Sequence, residues 1–454
     1  MKGLQLNFGV KKAGISVLAV AFFAASCGEG PIDSAQLDMD LRETLQASSG
    51  GVGESYYELP SSTDYANIPQ DPNNPITDEK VTLGKFLFHE TGLGLNAKSA
   101  IGLRTFSCAS CHHASAGFQS GLAQGIGEGG LGFGVAGEGR YKHPIYMNHL
   151  LDVQPVRTPT AMNSAYQECM LWNGALGATG INAGTEYAWT PETGKFNNFF
   201  GFQGVETQVL AGRREHELDV SPEIFEELGY ITMFDAAFPD YPVEERYDSI
   251  TTALAIAAYE RTILSNKAPF QLWLKGDNNA MTDEQKEGAI LFFGKAGCAS
   301  CHNGPNLANM EFHALGMEDL YGPTVFNTNP NDPINRGRES FTSRPEDLYK
   351  FKVPTIYNLA DQPFLGHGSS FSSIRDVVAY KNAAVKENIN VEQEYISELF
   401  VPLGLTEEEI DKITIFIEEG LYDPELSRYE PLSLPSGNCF PNNDAVSRDE
   451  LGCD

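Results

Sequence analysis

The sequence predicts a mostly α-helical fold with long loops, and three observations carry that prediction. Several segments space their apolar residues at helical intervals, whereas little of the chain alternates with period two. Glycine-dense stretches, above all 117–140 and 174–204, separate those segments and must be loop. The pentapeptide CASCH stands at 108–112 and again at 298–302, the second time at the end of a helical pattern.

The elements follow in chain order. Lys11 and Lys12 precede AGISVLAVAFFAASC, the charged and apolar regions of an export signal, and the run is too short to span a bilayer comfortably. Ala24-Ala25-Ser26-Cys27 fits a lipoprotein cleavage box, so residues 1–27 read as a signal peptide. The mature chain is then expected in the periplasm or cell envelope, lipid-anchored at Cys27. Residues 28–75 are rich in Ser, Gly, Asp, Asn and Pro and read as a flexible tether. TDEKVTLGKFLFHE (77–90) predicts a helix, as do PEIFEELGYITMFDAAF and RYDSITTALAIAAYERTILS. TDEQKEGAILFF starts with Thr282 as N-cap and runs into the second CASCH, and 406–421 starts likewise at Thr406.

Composition narrows the function. The chain has 61 acidic against 31 basic residues, a net charge of −30. Such a surface repels nucleic acid and anionic lipid headgroups and favours a small basic partner. Apolar residues make up 41%, enough for a sizeable core.

The cysteines carry most of the chemistry. C-x-x-C-H in an exported chain is the attachment signal for c-type haem: two thiols add to the haem vinyls and the His binds the iron. Cys108 and Cys111 would hold one haem over His112, and Cys298 and Cys301 a second over His302. A redox CxxC needs no following His and sits in a βαβ setting absent from this pattern; a zinc site needs two paired ligand sets close together. Of the remaining cysteines, Cys439 and Cys453 can close a small C-terminal loop, leaving Cys169 as an odd thiol, more apt to be buried than reactive.

Order and spacing of further motifs add to this. LGKFLFHETGLGLNAKSAIGLRTFSCASCHHASAGF, VRTPTAMNSAY, LWNGA, ALAIAAYERTILSNKAPFQLWLKGD, EGAILFFGKAGCASCHNGPNL, NRGR and FKVPTIYNLADQPFLGHGSSFSSIRDVV run from about 77 to 385. Together they resemble the bacterial di-haem cytochrome c peroxidase family, which includes the methylamine-utilisation di-haem enzyme. The resemblance implies two cytochrome-c-like domains, placed here at 76–242 and 243–435, with a tail at 436–454. It implies hydrogen peroxide as substrate at the first haem and a small periplasmic cytochrome or cupredoxin donating to the second. A homodimer is the family's common assembly.

The resemblance also implies roles for single residues. His149, six residues before Pro155, matches the removable His that caps the reactive iron. Trp172 matches a Trp between the haems, Gln208 the Gln of the family's LEEQ motif and so a catalytic candidate, and Glu217 the catalytic Glu, one residue short and with His216 as its rival. A carboxylate beside the iron could take and return the peroxide proton, which an Arg or Lys cannot accept at neutral pH. The family's inter-domain calcium is doubtful here. Arg157 and Asp361 stand at its ligand positions, and an Arg157–Asp361 ion pair is expected in its place. The family's Met ligand to the second haem is missing. Lys381 holds its position, and the adjacent Tyr380 is the expected ligand, with Lys381, Met310 and Met317 also in reach of the role. The leading reading is a peroxidase; a di-haem oxidising or maturation enzyme and a non-catalytic electron carrier are the competitors.

Overall fold

The computed structural model describes Met1 and residues 33–453. The expected signal sequence and lipid site at Cys27 lie outside the described residues, apart from Met1. Twelve α-helices are present among the described residues: α1 (Ser34–Ser48), α2 (Asp78–His89), α3 (Gly204–Glu215), α4 (Pro222–Glu227), α5 (Ile231–Ala237), α6 (Ser249–Thr262), α7 (Pro269–Leu274), α8 (Asp283–Phe293), α9 (Glu339–Thr342), α10 (Ile374–Ala383), α11 (Glu407–Ile415) and α12 (Ala445–Leu451). Short 3₁₀ turns and loops connect them. Two antiparallel pairs of two-residue strands complete the structure: β1 (Gly130–Leu131) with β2 (Tyr141–Lys142), and β3 (Phe312–His313) with β4 (Phe351–Lys352). No described helix is long and apolar enough to cross a membrane.

Helix starts follow local chemistry. Thr77, Thr282 and Thr406 each accept a backbone hydrogen bond from the third residue beyond, satisfying an amide the helix cannot. At Thr282 and Thr406 the reciprocal bond completes a capping box. The single helix suggested by PEIFEELGYITMFDAAF is split into α4 and α5, because Gly229 takes a positive φ between them.

Two helix crossings organise the interior, and they repeat. α2 crosses α6 at Gly84, where an added Cβ would lie 1.9 Å from the Ala255 carbonyl oxygen. α8 crosses α11 at Gly288, where a Cβ would lie 2.1 Å from the Lys412 carbonyl oxygen. Four residues after each glycine a Phe reaches a motif histidine: Phe88 to His112 with ring centroids 6.5 Å apart, and Phe292 to His302 at 6.4 Å. The chain therefore builds the same helix–glycine–aromatic–histidine unit twice.

Two expectations about organisation are corrected. Residues 34–48 of the supposed tether form α1, whose Leu37, Leu41 and Leu45 are buried at four-residue intervals against α8. Asp38 on the same helix meets Lys286 Nζ at 2.7 Å and accepts from Trp273 Nε1 at 2.7 Å, all three buried. The first unit also does not stop at 242, because its α2 and α3 both pack on α6, which runs to Thr262.

The tail returns to the first unit. Cys439 and Cys453 form a disulfide, and Cys169 is a buried free thiol. Ser107 and Ser110 Oγ donate to the Pro441 carbonyl at 3.0 and 3.1 Å. Thr91 Oγ1 donates to the Cys439 carbonyl at 3.0 Å.

Two candidate haem cavities and the wall between them

Each CASCH motif opens a 3₁₀ turn at the edge of a cavity, of about 650 Å³ for the first and about 270 Å³ for the second. Cys108, Cys111 and His112 line the larger, Cys298, Cys301 and His302 the smaller. His112 Nδ1 lies 3.2 Å from the Phe118 carbonyl and His302 Nδ1 3.0 Å from the Leu307 carbonyl. A carbonyl can only accept, so each Nδ1 carries the proton and each Nε2 keeps its lone pair. Burial is the main reason both imidazoles titrate near 4, so both are neutral donors at pH 7.

The four motif thiols are free, and the pairs stand three residues apart on their turns. Burial pushes Cys108, Cys111 and Cys298 up to about 12. Burial raises Cys301 as well, but His313 at 3.6 Å, together with Ser300 and Lys381, brings it below the ordinary value. Paired thiols beside a neutral imidazole with an unused nitrogen, facing largely apolar walls, fit covalent c-type haem at both motifs.

Trp172, Arg157 and Gln119 line both cavities and form the wall between them. Trp172 Nε1 donates to the Arg157 carbonyl at 2.8 Å. The Arg157 guanidinium is buried and donates to Gln119 Oε1 at 3.1 Å, the Leu122 carbonyl at 3.0 Å and the Ser120 carbonyl at 3.4 Å. The expected Arg157–Asp361 ion pair does not form. Asp361 accepts from Asn358 Nδ2 at 3.2 Å, and neutral carbonyl oxygens satisfy the cation instead.

The first cavity holds Gln208 as expected, but not Glu217 or His149. Glu217 pairs with Lys98 Nζ at 3.2 Å. His149 is exposed on a 3₁₀ turn. The cavity group on that wall is His216, at the C-terminal end of α3, about two turns beyond Gln208 on the same face. His216 Nδ1 lies 2.9 Å from the carboxylate of Asp152, which is buried and also lines the cavity. No described residue hydrogen-bonds His216 Nε2. Burial opposes its charge, yet Asp152, with Glu215 and Glu217 behind it, raises the His216 pKa above the ordinary value.

Asp152 is held by backbone. Its amide donates to the Glu128 carbonyl at 3.1 Å and its carbonyl accepts from Gly127 at 2.9 Å. A Cβ at Gly127 would stand 2.2 Å from Asp152 Oδ2, so only glycine admits the carboxylate here. Sequence reasoning does not reach Asp152, since 64 residues of mostly loop separate it from His216. Its one sequence signal is the glycine-dense stretch before it.

The second cavity corrects the Tyr380 expectation. Tyr380 donates to the Leu315 carbonyl at 2.6 Å and does not line the cavity, whereas Lys381 does. Burial pulls the Lys381 ammonium down to about 8, against the pull of Cys301 and Cys298. Of the two methionines, Met317 lines the cavity, while the Met310 sulfur sits 3.3 Å from the Glu168 amide elsewhere.

Comparison with known proteins finds similar chains. Residues 78–279 match the family model described as di-haem cytochrome c peroxidase. A cytochrome-c peroxidase of Denitromonas iodatirespirans is 27% identical over 425 residues, covering 89% of this chain and 95% of that protein. The methylamine utilization protein MauG of Methylorubrum extorquens is 26% identical over 355 residues, covering 78% of this chain and 81% of that one. A solved MauG-like protein associated with microbial copper homeostasis shares the fold with a TM-score of 0.58 and 23% identity, over 82% of this chain and 96% of that chain.

Proposed function

We propose that this chain, a relative of the di-haem cytochrome c peroxidases, is a c-type peroxidase that reduces hydrogen peroxide to water. One observation carries the reading: His216, braced by buried Asp152, faces the cavity that Cys108, Cys111 and His112 open onto. Haem held at the motifs would supply an iron for peroxide and store the electrons its reduction consumes.

The chain's own residues would do the rest. The Nδ1–H to Asp152 bond fixes the tautomer and leaves Nε2 as a base. His216 takes a proton from the inner peroxide oxygen and returns it to the departing one, which leaves as water. Gln208 orients the peroxide from the same helix face. Trp172 offers an aromatic path through the wall both cavities share. A small basic cytochrome or cupredoxin would supply electrons to the His302 side, in the periplasm or cell envelope. The net charge of −30 favours such a donor.

Stopped-flow mixing of half-reduced holoprotein with peroxide tests the reading. His216→Ala should slow the reaction by about 10²–10⁴-fold, the usual worth of a positioned acid–base group. An unchanged rate would remove His216 from the mechanism, and no reaction at all in the parent protein would leave only an electron carrier. A second reading, a di-haem oxidising or maturation enzyme, is favoured by the exposed position of His149 away from the first cavity. Fast reaction with peroxide but no turnover on reduced cytochrome would select it.

A further inference from the structure

The second cavity presents an amine that the protein leaves without a partner, across from the motif histidine. Ile374, Val377, Val378 and Lys381 all line it, and their spacing makes them one continuous face of α10. Three are aliphatic and the fourth ends in an amine. Lys381 Nζ passes 5.9 Å from the Phe400 ring and makes no hydrogen bond or ion pair with any described residue. The next residue back, Tyr380, falls off this face, and its hydroxyl is already donated to Leu315. An amine at the end of a largely aliphatic face, turned to the cavity and held by no protein group, is free to meet a further group there.

The other histidines of this cavity are committed to protein groups, and Met317 and Tyr349 are packed against neighbours. His313 lies 3.1 Å from Ser397 Oγ through Nδ1 and 3.1 Å from Glu311 Oε2 through Nε2. The His367 ring stacks on Phe351 at 3.7 Å, with Nε2 3.4 Å from Asp319. The Met317 sulfur packs over Gly366, 3.4 Å from where a Cβ there would lie. Tyr349 packs edge-on against Tyr395 with ring centroids 5.6 Å apart. On the motif side, His302 is set by the Leu307 carbonyl to bind through Nε2.

We propose that Lys381 Nζ is the second axial ligand of the haem attached at Cys298 and Cys301, opposite His302. The proposal rests on the reading that both motifs carry haem. It gives this iron two nitrogen ligands and no thioether. A thioether favours ferrous iron, so this haem is harder to reduce than a Met-ligated one.

The test uses oxidised holoprotein with its haem content measured first, and reads electron paramagnetic resonance, the near-infrared charge-transfer band and the two reduction potentials. Two haems per chain are expected. Lys381→Ala should lose one low-spin signal and gain a high-spin one that added imidazole converts back. Lys381→Met should keep a low-spin iron, move its charge-transfer band and shift its potential upward. Tyr380→Phe and Tyr349→Phe should change neither spectrum nor potential. Two haems with an unchanged low-spin signal in Lys381→Ala would overturn the lysine ligand and leave the di-haem reading standing. Should the alanine variant not fold, an unchanged band and potential in Lys381→Met would overturn it equally. A single haem per chain, missing from the second motif, would overturn both.

Discussion

At the scale of single residues, the proposed acid–base group of the first cavity is a histidine whose charge is set by its neighbours. Asp152, Glu215 and Glu217 raise the His216 pKa against the effect of burial, while His112 on the opposite side is neutral. A base must be unprotonated, so the rate with peroxide should climb as pH rises through the His216 pKa. Asp152→Asn removes the nearest negative charge, and the acid limb of the pH–rate profile should move to lower pH. The imidazole would also be less firmly oriented, and the plateau rate should fall. A limb that stays in place would show that His216 is not the titrating group. The Cys and His proposed to hold haem are legible in the sequence because CxxCH is a contiguous signal whose chemistry needs those residues at that spacing. The cavity's polar groups are not. Glu217 and His216 are adjacent, and only the end of α3 decides which faces inward. At 380–381 the phase of α10 makes the same kind of choice between a tyrosine and a lysine.

At the scale of elements, α2–α6 and α8–α11 depend on backbone contact that a methyl group would block. Gly84→Ala and Gly288→Ala should each destabilise the protein by about 1–3 kcal/mol, the range for overpacking, and lower the melting temperature. Each should also disturb the proposed haem site of its own unit, since Phe88 and Phe292 follow one turn later. Most of these helices can be read directly, because their apolar periodicity agrees with threonine caps. α1 escapes a reading of composition because the surrounding Ser, Gly and Pro outweigh three leucines spaced by four. Its docking rests partly on Asp38, which faces buried Lys286. Burial raises the Asp38 pKa, but Lys286 and Trp273 hold it below the ordinary value. Asp38→Ala would strand the lysine's charge, and chemical denaturation should report a loss of about 3–5 kcal/mol. A loss near zero would mean that α1 detaches freely.

At the scale of the whole molecule, charge and topology matter more than any contact. With a net charge of −30, the rate of electron delivery from a basic donor should fall steadily as salt is raised from low ionic strength. A salt-independent rate would mean that docking is apolar. The two-unit architecture is legible from the repeated motif, but its borders are not, because α6 lies beyond the expected boundary and the tail folds back to the start. That return has a temporal meaning. Ser110 and the carbonyl that fastens it are 331 residues apart, so the first motif stays unlatched until nearly all of the chain has been made. On the proposal that both motifs carry covalent haem, four cysteines must then remain reduced long enough to be alkylated by it while Cys439 and Cys453 are oxidised to each other. Maturation of this protein is therefore a race between two thiol chemistries in one compartment, and the latch closes on whichever outcome came first.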